Sequence, residues 1–173
     1  MNPVKIAIIG THGIGKTALI QRIKEKVGPE LLTPPELARD ILEALKMDWR
    51  EAEWDRLRDF QLTLLSYTML VSQMPGPLLA DRCPLDVLAY MTYQNPANNI
   101  VTNIFSLAEQ AALRYNHIYF YRAYSTSLSD EQQAIQSLLK KICKILSIAT
   151  IDFTRADADQ IVNSIVKRYT LTA

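Results

Sequence analysis

The stretch GTHGIGKT, residues 10–17, constrains the fold more than any other part of the chain. It directly follows the apolar run Val4–Ile9, which is typical of a strand buried on both faces of a parallel sheet. Its three glycines let the backbone turn sharply. A helix is expected to begin inside the loop and to end near Val27, where Gly28-Pro29 follows. The sequence therefore predicts a strand, a tight loop and a helix in direct succession.

The loop has the spacing of a phosphate-binding motif, the Walker A pattern, in the strand-to-helix position that the motif requires. In such loops successive backbone N–H groups and the helix N-terminus point at a phosphate chain. We expect Lys16 to reach the β- and γ-phosphates of ATP and the Thr17 hydroxyl to ligate Mg²⁺. His12 is not required by the motif and is interpreted as a variable position. The predicted ATP-binding residues are Gly10, Thr11, His12, Gly13, Ile14, Gly15, Lys16 and Thr17.

The predicted ATP-binding segment ends at Thr17. Residue 18 is Ala18, so no second threonine follows Thr17. The prediction therefore places a single threonine hydroxyl directly after Lys16.

Predicted strands alternate with predicted helices along the rest of the chain. Five short apolar strands separated by helices predict one α/β domain over residues 1–173, a three-layer sandwich with a five-stranded parallel sheet. Ligands of such sheets bind at the carboxyl ends of the strands. The predicted strands are Val4–Ile9, Leu31-Leu32, Pro77–Asp81, His117–Arg122 and Ala149–Phe153.

Capping residues mark the predicted helix starts. Thr33 with Glu36, Ser129 with Gln132, and Asp157 with Gln160 are each spaced as a capping box. The first of these helices is expected to continue through Leu45, the second to about Leu146 and the third to about Leu171. Further helices are predicted over Glu51–Met74, from Cys83-Pro84 to about Tyr93, and over Ile100–Tyr115.

Composition narrows the class of protein. Nineteen Lys and Arg nearly balance eighteen Asp and Glu, so the charge gives no sign of a general nucleic-acid or membrane surface. The uncharged stretch between Asp59 and Asp81 is broken by Pro75-Gly76-Pro77, which favours a buried helix and a strand over a membrane span. The two cysteines, Cys83 and Cys143, are interpreted as reduced thiols of a cytoplasmic protein.

A second metal-binding group is expected at the end of the strand Pro77–Asp81. An apolar strand that ends in aspartate, in a chain with a Walker A loop, is typical of the carboxylate that helps to hold Mg²⁺. The predicted metal residues are therefore Thr17 and Asp81.

Two segments outside the loop resemble a known family. Asp81–Tyr90, DRCPLDVLAY, resembles the Asp/Glu-Arg-Ser segment of the deoxynucleoside and thymidylate kinase group, and Glu36–Arg39 resembles the segment after the second strand in those kinases. The chain looks closest to small P-loop kinases with an AAA-type label, which include nicotinamide riboside kinase domains and viral deoxynucleoside monophosphate kinases. The resemblance implies the P-loop kinase fold, with strand order 2-3-1-4-5.

The resemblance also implies roles for individual residues. Catalysis would rest on Lys16, Asp81, Arg82 and Glu36. Arg82 would contact the reacting or acceptor phosphate, and Glu36 would line the acceptor pocket, either as the base for a substrate hydroxyl or only as a helix cap. Arg39 would bind the acceptor or be a solvated helix residue.

The sequence departs from these kinases at two places. Cys83 stands where serine is usual, and cysteine caps a helix poorly. The lid segment, about residues 123–130, is short and contains no arginine, so that Arg122 at the preceding strand end is the nearest one. Arg155 lies after the fifth predicted strand, where this fold often contacts adenine, and it would either stack on the base or be an exposed loop residue. Arg122 and Arg155 complete the predicted nucleotide site.

The sequence thus favours an ATP-dependent phosphotransferase that moves the γ-phosphoryl group of ATP·Mg²⁺ to a small-molecule nucleoside or (deoxy)nucleoside monophosphate. The alternatives are a polynucleotide 5′-kinase and an ATP-binding regulatory protein without kinase activity. A GTP-dependent switch is disfavoured, because the sequence contains no Asn-Lys-x-Asp motif. The apolar positions of helix 51–74 exceed one narrow stripe, which is explained either by burial in the chain or by a homodimer through this helix.

Overall fold

The protein has four parallel strands with helices packed on both faces of the sheet. The computed structural model describes residues 3–95, 99–123 and 128–171. The strands are β1 (Lys5–Ile9), β2 (Leu78–Asp81), β3 (His117–Tyr121) and β4 (Ile151–Phe153). The helices are α1 (Lys16–Val27), α2 (Ala38–Ala44), α3 (Trp54–Gln73), α4 (Pro84–Gln94), α5 (Asn99–Ala112), α6 (Asp130–Ile145) and α7 (Ala158–Thr170), with a 3-10 turn over Arg155–Asp157.

The sheet order β2-β1-β3-β4 corrects the predicted five strands in the order 2-3-1-4-5. The predicted strand Leu31-Leu32 is reduced to a single parallel bridge between Leu32 and Leu78. Thr33-Pro34-Pro35 follows this bridge, and a proline has no N–H to donate to a strand ladder. The pairing therefore stops after one residue.

Alternating strand residues divide the core into the two expected layers. On β1, Ile6 and Ile8 face the side covered by α1 and α7, whereas Ala7 and Ile9 face the side covered by α3, α4, α5 and α6. All four side chains are completely buried. The run is continuously apolar because a central parallel strand is covered on both faces. The three-layer α/β architecture is thus confirmed.

Two of the three predicted capping boxes are wrong. The helix after Thr33 begins only at Ala38, because the residue before a proline is disfavoured from helical backbone and two prolines follow Thr33. The Asp157 carboxylate accepts from the backbone N–H and the hydroxyl of Thr154, both at 2.8 Å, and so closes the 3-10 turn rather than capping α7. Ser129 does cap α6, with its hydroxyl accepting from the backbone N–H of Gln132.

Most of the apolar residues predicted for helix 51–74 are buried within the chain. Leu57, Leu64, Leu65 and Val71 are buried, whereas Leu70 and Met74 are exposed. Within the described residues, no helix has both the length and the apolar character that a bilayer crossing demands. Half of the predicted lid, residues 124–127, lies outside the described part of the chain.

Candidate active site

The phosphate loop has the predicted conformation. Gly10 has a φ of 145°, and a Cβ atom there would lie 2.5 Å from the backbone oxygen of Tyr121. Gly15 has a φ of 95° at the N-cap of α1. Both are backbone states that residues with a side chain rarely adopt. The loop therefore turns tightly against the end of β3 and directs the N-terminus of α1 towards the carboxyl edge of the sheet.

Lys16 is folded back onto the loop that carries it. Its ammonium group donates to the backbone oxygens of Gly10, at 2.8 Å, and Thr11, at 2.6 Å. Burial, together with the positive charge of Arg82, lowers the pKa of Lys16 to about 8. The lysine is thus held at the loop by neutral carbonyl groups, which it can exchange for a phosphate oxygen.

Thr17 and Asp81 come together as predicted. The Thr17 hydroxyl donates to Asp81 Oδ2 at 2.6 Å, which joins α1 to the end of β2. The other carboxylate oxygen, Oδ1, is buried and has no hydrogen-bond partner among the described residues. Within the same ranges no cluster of three or more His, Cys, Asp or Glu side chains forms a metal cage. A hydroxyl and one free carboxylate oxygen fit Mg²⁺, which takes few protein ligands when substrate phosphates supply the others.

Position 18 contributes no side-chain ligand next to Thr17. The residue there is an alanine and not a threonine, and Ala18 is exposed in the first turn of α1. Its methyl group has no oxygen that could bind a phosphate or a metal ion. Thr17 is therefore the residue that supplies a hydroxyl directly after Lys16.

Arg82 and Glu36 meet at the start of the predicted acceptor pocket. Arg82 Nε lies 3.3 Å from Glu36 Oε1, and both side chains are largely buried. Burial opposes the charge on Arg82, but Tyr90, Asp86 and Glu36 outweigh it and raise the pKa of the guanidinium. Arg82 also has a φ of 78°, a left-handed backbone that non-glycine residues rarely adopt. This strained turn lies immediately after Asp81.

Besides the ion pair with Arg82, Glu36 makes a hydrogen bond to the backbone. Its Oε1 atom accepts from the backbone N–H of Ala38, the first residue of α2, at 3.2 Å. Glu36 therefore serves the start of α2 without the predicted capping box with Thr33. Arg39, one residue after Ala38, is exposed and makes no ion pair with the described residues. Glu36 is therefore paired with Arg82 and bonded to the start of α2, and its role as a base stays a prediction.

A cavity of about 200 Å³ opens beside the Glu36–Arg82 pair. Its lining combines two arginines, a glutamate, a glutamine and a histidine with apolar and aromatic side chains. The lining residues are His12, Glu36, Ala38, Arg39, Leu42, Trp49, Phe60, Gln61, Leu64, Arg82, Val87 and Tyr90.

A second cavity, of about 250 Å³, lies on the other side of the phosphate loop. Gly13 and Ile14 of the loop, Arg122 after β3 and Arg155 after β4 all line it, together with Tyr121. Arg122 Nε lies 3.3 Å from Asp152 Oδ2, while Arg155 is exposed at the 3-10 turn. Arg122 and Arg155 thus line one cavity, whereas Glu36, Arg39 and Arg82 line the other.

Asp86, in the first turn of α4, lies beside the phosphate loop, and the sequence predicted no role for it. Its side chain is 1% exposed, and its carboxylate accepts from the backbone N–H groups of Gly10, at 3.0 Å, and Cys83, at 2.9 Å. Burial raises its pKa, although Arg82 and Lys16 oppose the shift. Asp86 therefore forms a capping box with Cys83 at the start of α4. Its position three residues after Cys83, among apolar neighbours, was the available signal.

His12 is the second residue whose place differs from its interpretation. Its imidazole lines the acceptor cavity, and its backbone N–H donates to the Tyr90 hydroxyl at 3.0 Å. The ring Nδ1 lies 2.9 Å from the same hydroxyl oxygen. A large residue in the loop that is hydrogen-bonded to α4 is not simply a tolerated variable position. The spacing of the motif carries no signal for it.

The arrangement defines a class of protein. A parallel sheet with a phosphate loop after β1, a lysine and a threonine at the start of α1, and an aspartate at the end of β2 is the nucleotide site of a P-loop protein. The chain belongs to the AAA domain family, which it matches over residues 5–160. No curated protein sequence matches it significantly.

Solved structures place the fold among the small P-loop kinases. NadR in complex with NR superposes with a TM-score of 0.76 at 13% identity, over 97% of this chain and 51% of the NadR chain. This chain therefore spans about half the length of NadR. Deoxyadenosine kinase from M. mycoides with bound dATP superposes with a TM-score of 0.60 at 16% identity, over 98% of both chains. Shikimate kinase from Acinetobacter baumannii, in complex with shikimate, gives 0.52 at 14% identity, over 96% of this chain and 94% of the kinase. At these identities the likeness shows the fold.

Proposed function

We propose that this protein is a phosphotransferase that moves the γ-phosphoryl group of ATP to a nucleoside or a (deoxy)nucleoside monophosphate. The observation that carries the proposal is the ion pair between Arg82 and Glu36, 3.3 Å apart, at the junction of the phosphate loop and the acceptor cavity. An arginine and a carboxylate at this junction supply the two groups that phosphoryl transfer to a hydroxyl or phosphate oxygen needs.

Each group has a defined part in the proposed reaction. The loop N–H groups and Lys16 bind the β- and γ-phosphates, and Arg122 and Arg155 border the base. Thr17 and Asp81 would hold Mg²⁺, which when bound neutralises phosphate charge.

The acceptor side completes the transfer. When the acceptor is a nucleoside, Glu36 takes the proton of its hydroxyl, the acceptor oxygen bonds to the γ-phosphorus, and ADP departs with the electrons of the broken P–O bond. A monophosphate acceptor attacks with an ionised oxygen, and Glu36 then only orients Arg82. In both cases Arg82 neutralises charge that develops on the transferred group.

The cavity favours a small acceptor with a flat apolar part and polar ends. Aromatic residues Trp49, Phe60 and Tyr90 line the same cavity as Arg39, Glu36 and Arg82. NadR was solved with NR, and the M. mycoides deoxyadenosine kinase with dATP, so proteins of this fold accommodate nucleoside-like ligands. These observations support a nucleoside or nucleotide over a sugar acid or a polynucleotide end.

A turnover assay tests the proposal. The full chain is incubated with ATP·Mg²⁺ and a panel of nucleosides, 5′-monophosphates and nicotinamide riboside, and ADP release is measured with and without each acceptor. We expect acceptor-dependent ADP release, lowered at least about 100-fold in Arg82→Gln. Arg114→Gln, an exposed arginine before β3, is the matched control and should match wild type.

The other outcomes of the same assay separate the alternatives. ATP binding without ADP release for any acceptor would contradict the kinase and favour a regulatory ATP-binding protein. Phosphorylation only of oligonucleotide 5′ ends, with affinity that falls as salt rises, would favour a polynucleotide kinase.

We also propose a homodimer through helix 51–74 and a cytoplasmic location as working expectations. The dimer would cover Leu70 of α3 and Met74 directly after it, which are 65% and 37% exposed. Sedimentation showing only monomer at high concentration would contradict it. The location rests on Cys83 and Cys143, which are both free and buried.

A further inference from the structure

The two large side chains between the glycines of the phosphate loop face different cavities. His12 lines the cavity that contains Glu36 and Arg82, whereas Ile14 lines the cavity that contains Arg122 and Arg155. The loop therefore contributes one side chain to each side of the site. The motif requires neither side chain, so their directions carry information about the ligands on the two sides.

Tyr90 fixes the orientation of the His12 ring. The Tyr90 hydroxyl oxygen accepts from the His12 backbone N–H at 3.0 Å, and it lies 2.9 Å from the ring Nδ1. The hydroxyl can donate its own hydrogen to Nδ1 while its oxygen accepts from the backbone N–H. Burial lowers the pKa of the imidazole, with Arg82, Arg50 and Lys16 adding to the shift and Glu131 opposing it, which favours the neutral ring. A neutral ring that accepts at Nδ1 carries its hydrogen on Nε2.

Contacts from two other elements hold the same residue in place. The Trp49 ring packs edge-on against the imidazole with centroids 5.8 Å apart. Gln132 of α6 donates from Nε2 to the His12 backbone oxygen at 2.9 Å. The imidazole is thus positioned before any ligand arrives, and its own Nε2 has no hydrogen-bond partner among residues 3–95, 99–123 and 128–171.

We propose that His12 is a specificity-determining residue of the acceptor site, whose Nε2–H donates a hydrogen bond to an oxygen of the phosphoryl acceptor. This inference rests on the proposed function and names a recognition group of that site. The acceptor oxygen is a hydroxyl or a phosphate oxygen of a nucleoside or nucleoside 5′-monophosphate, since Arg39 and Arg82 line the same cavity and favour an electron-rich group. Nucleotide binding on the other side of the loop does not use the imidazole.

The test uses binding rather than turnover. Isothermal calorimetry measures the affinity of the full-length wild type for a non-hydrolysable ATP analogue and for a panel of nucleosides, nucleoside 5′-monophosphates and nicotinamide riboside. The variants are His12→Asn, whose side-chain oxygen replaces Nδ1 opposite Tyr90 but which has no group at the position of Nε2, and His12→Gln, whose amide N–H reaches that position. Ile14→Ala is the matched variant on the other side of the loop.

We expect His12→Asn to bind the acceptor about tenfold more weakly, because one hydrogen bond is lost, and to bind the ATP analogue as wild type does. His12→Gln should restore most of the acceptor affinity, and Ile14→Ala should weaken only the ATP analogue. Thermal unfolding of the variants separates this effect from misfolding, since a folding defect would weaken both ligands together.

Three results would overturn the inference. These are unchanged acceptor affinity in His12→Asn, an equal loss for both ligands, and no binding of any panel member to wild type. Failure of the proposed function alone has a different signature, namely acceptor binding that depends on His12 without acceptor-dependent ADP release.

Discussion

The Asp86 carboxylate accepts a hydrogen bond from the backbone N–H of Gly10 at 3.0 Å, across 76 positions of sequence. Its second oxygen accepts from Cys83 N at 2.9 Å. One buried side chain therefore fixes the first residue of the phosphate loop to the turn that carries Arg82. This contact positions the phosphate loop relative to the cavity that Arg82 lines, which are the proposed donor-binding and acceptor-binding parts of the site.

Asp86→Asn should destabilise the protein by about 2 kcal/mol, because an amide presents an N–H group to one of two backbone donors and leaves it unpaired in the core. Denaturation by urea measures the loss, and affinity for an ATP analogue should fall with it. Asp59→Asn, at an exposed aspartate paired with Arg58, is the control and should change stability by less than about 0.5 kcal/mol. Equal stability of the two variants would contradict the structural role of Asp86.

Gly10→Ala and Gly15→Ala separate backbone strain from a steric clash. Both glycines have positive φ, but an added Cβ at Gly15 has nothing within 4 Å, whereas at Gly10 it lies 2.5 Å from the Tyr121 backbone oxygen. We expect a loss of about 1–2 kcal/mol for Gly15→Ala from strain alone and about 3 kcal/mol or more for Gly10→Ala. Urea unfolding without nucleotide checks the order, and a smaller loss at Gly10 would refute it.

Glu36→Gln tests whether Glu36 acts as a base or only orients Arg82. With a hydroxyl acceptor, loss of a general base should lower kcat by about 10²–10⁴-fold while the KM for ATP stays nearly constant. The remaining activity should also lose the acid limb of its pH profile. Glu43→Gln, at an exposed glutamate of α2, the helix that Glu36 precedes, is the control. A loss below about fivefold with an unchanged pH profile would leave Glu36 only its contact with Arg82.

Local chemistry explains which parts of the architecture the sequence predicted. The apolar run before Gly10, the glycine spacing and the Ser129–Gln132 box are each satisfied by neighbours in sequence, and all of them are confirmed. The strand at Leu31-Leu32 failed because the prolines after it remove the donors that a ladder needs. The pattern of apolar residues alone does not show that these backbone donors are missing.

The site residues likewise fall into those that sequence motifs predicted and those that depend on distant contacts. Thr17 and Asp81 belong to motifs at the ends of neighbouring strands, so their 2.6 Å contact follows from topology. Asp86 and His12 owe their positions to Gly10 and Tyr90, which lie more than 70 residues away in sequence. Such pairings depend on how α4 packs against the loop, and one sequence contains no pattern that specifies them.

Ser129 and Thr33, which were both expected to cap helices, offer a direct comparison. Ser129→Ala should cost about 1 kcal/mol, since its hydroxyl accepts from Gln132 N at the start of α6. Thr33→Ala should cost only a few tenths, because α2 begins five residues later and Glu36 serves its first turn. Urea unfolding of both variants measures the difference, and equal losses would restore Thr33 as a cap.

The stability of the protein should depend on pH through His12. Burial lowers the pKa of its imidazole in the folded chain, and the charges of Arg82, Arg50 and Lys16 add to the shift while that of Glu131 opposes it. The unfolded chain keeps the ordinary value of 6.5 and takes up a proton first as the pH falls. The stabilisation due to His12 is therefore fully present above pH 6.5 and is lost as the pH falls through 6.5 towards the lower folded value.

His12→Gln isolates this effect, because it keeps a polar side chain at the site but cannot titrate. The free energy of unfolding of wild type and variant is measured in urea between pH 8 and pH 5.5. Wild type should lose more stability than the variant on acidification, and the difference should develop only below about pH 6.5. His117, whose pKa is also lowered by burial, is present in both proteins and cancels in the comparison. A difference that stays constant across this pH range would show that the imidazole is as free to protonate in the folded protein as in the unfolded chain.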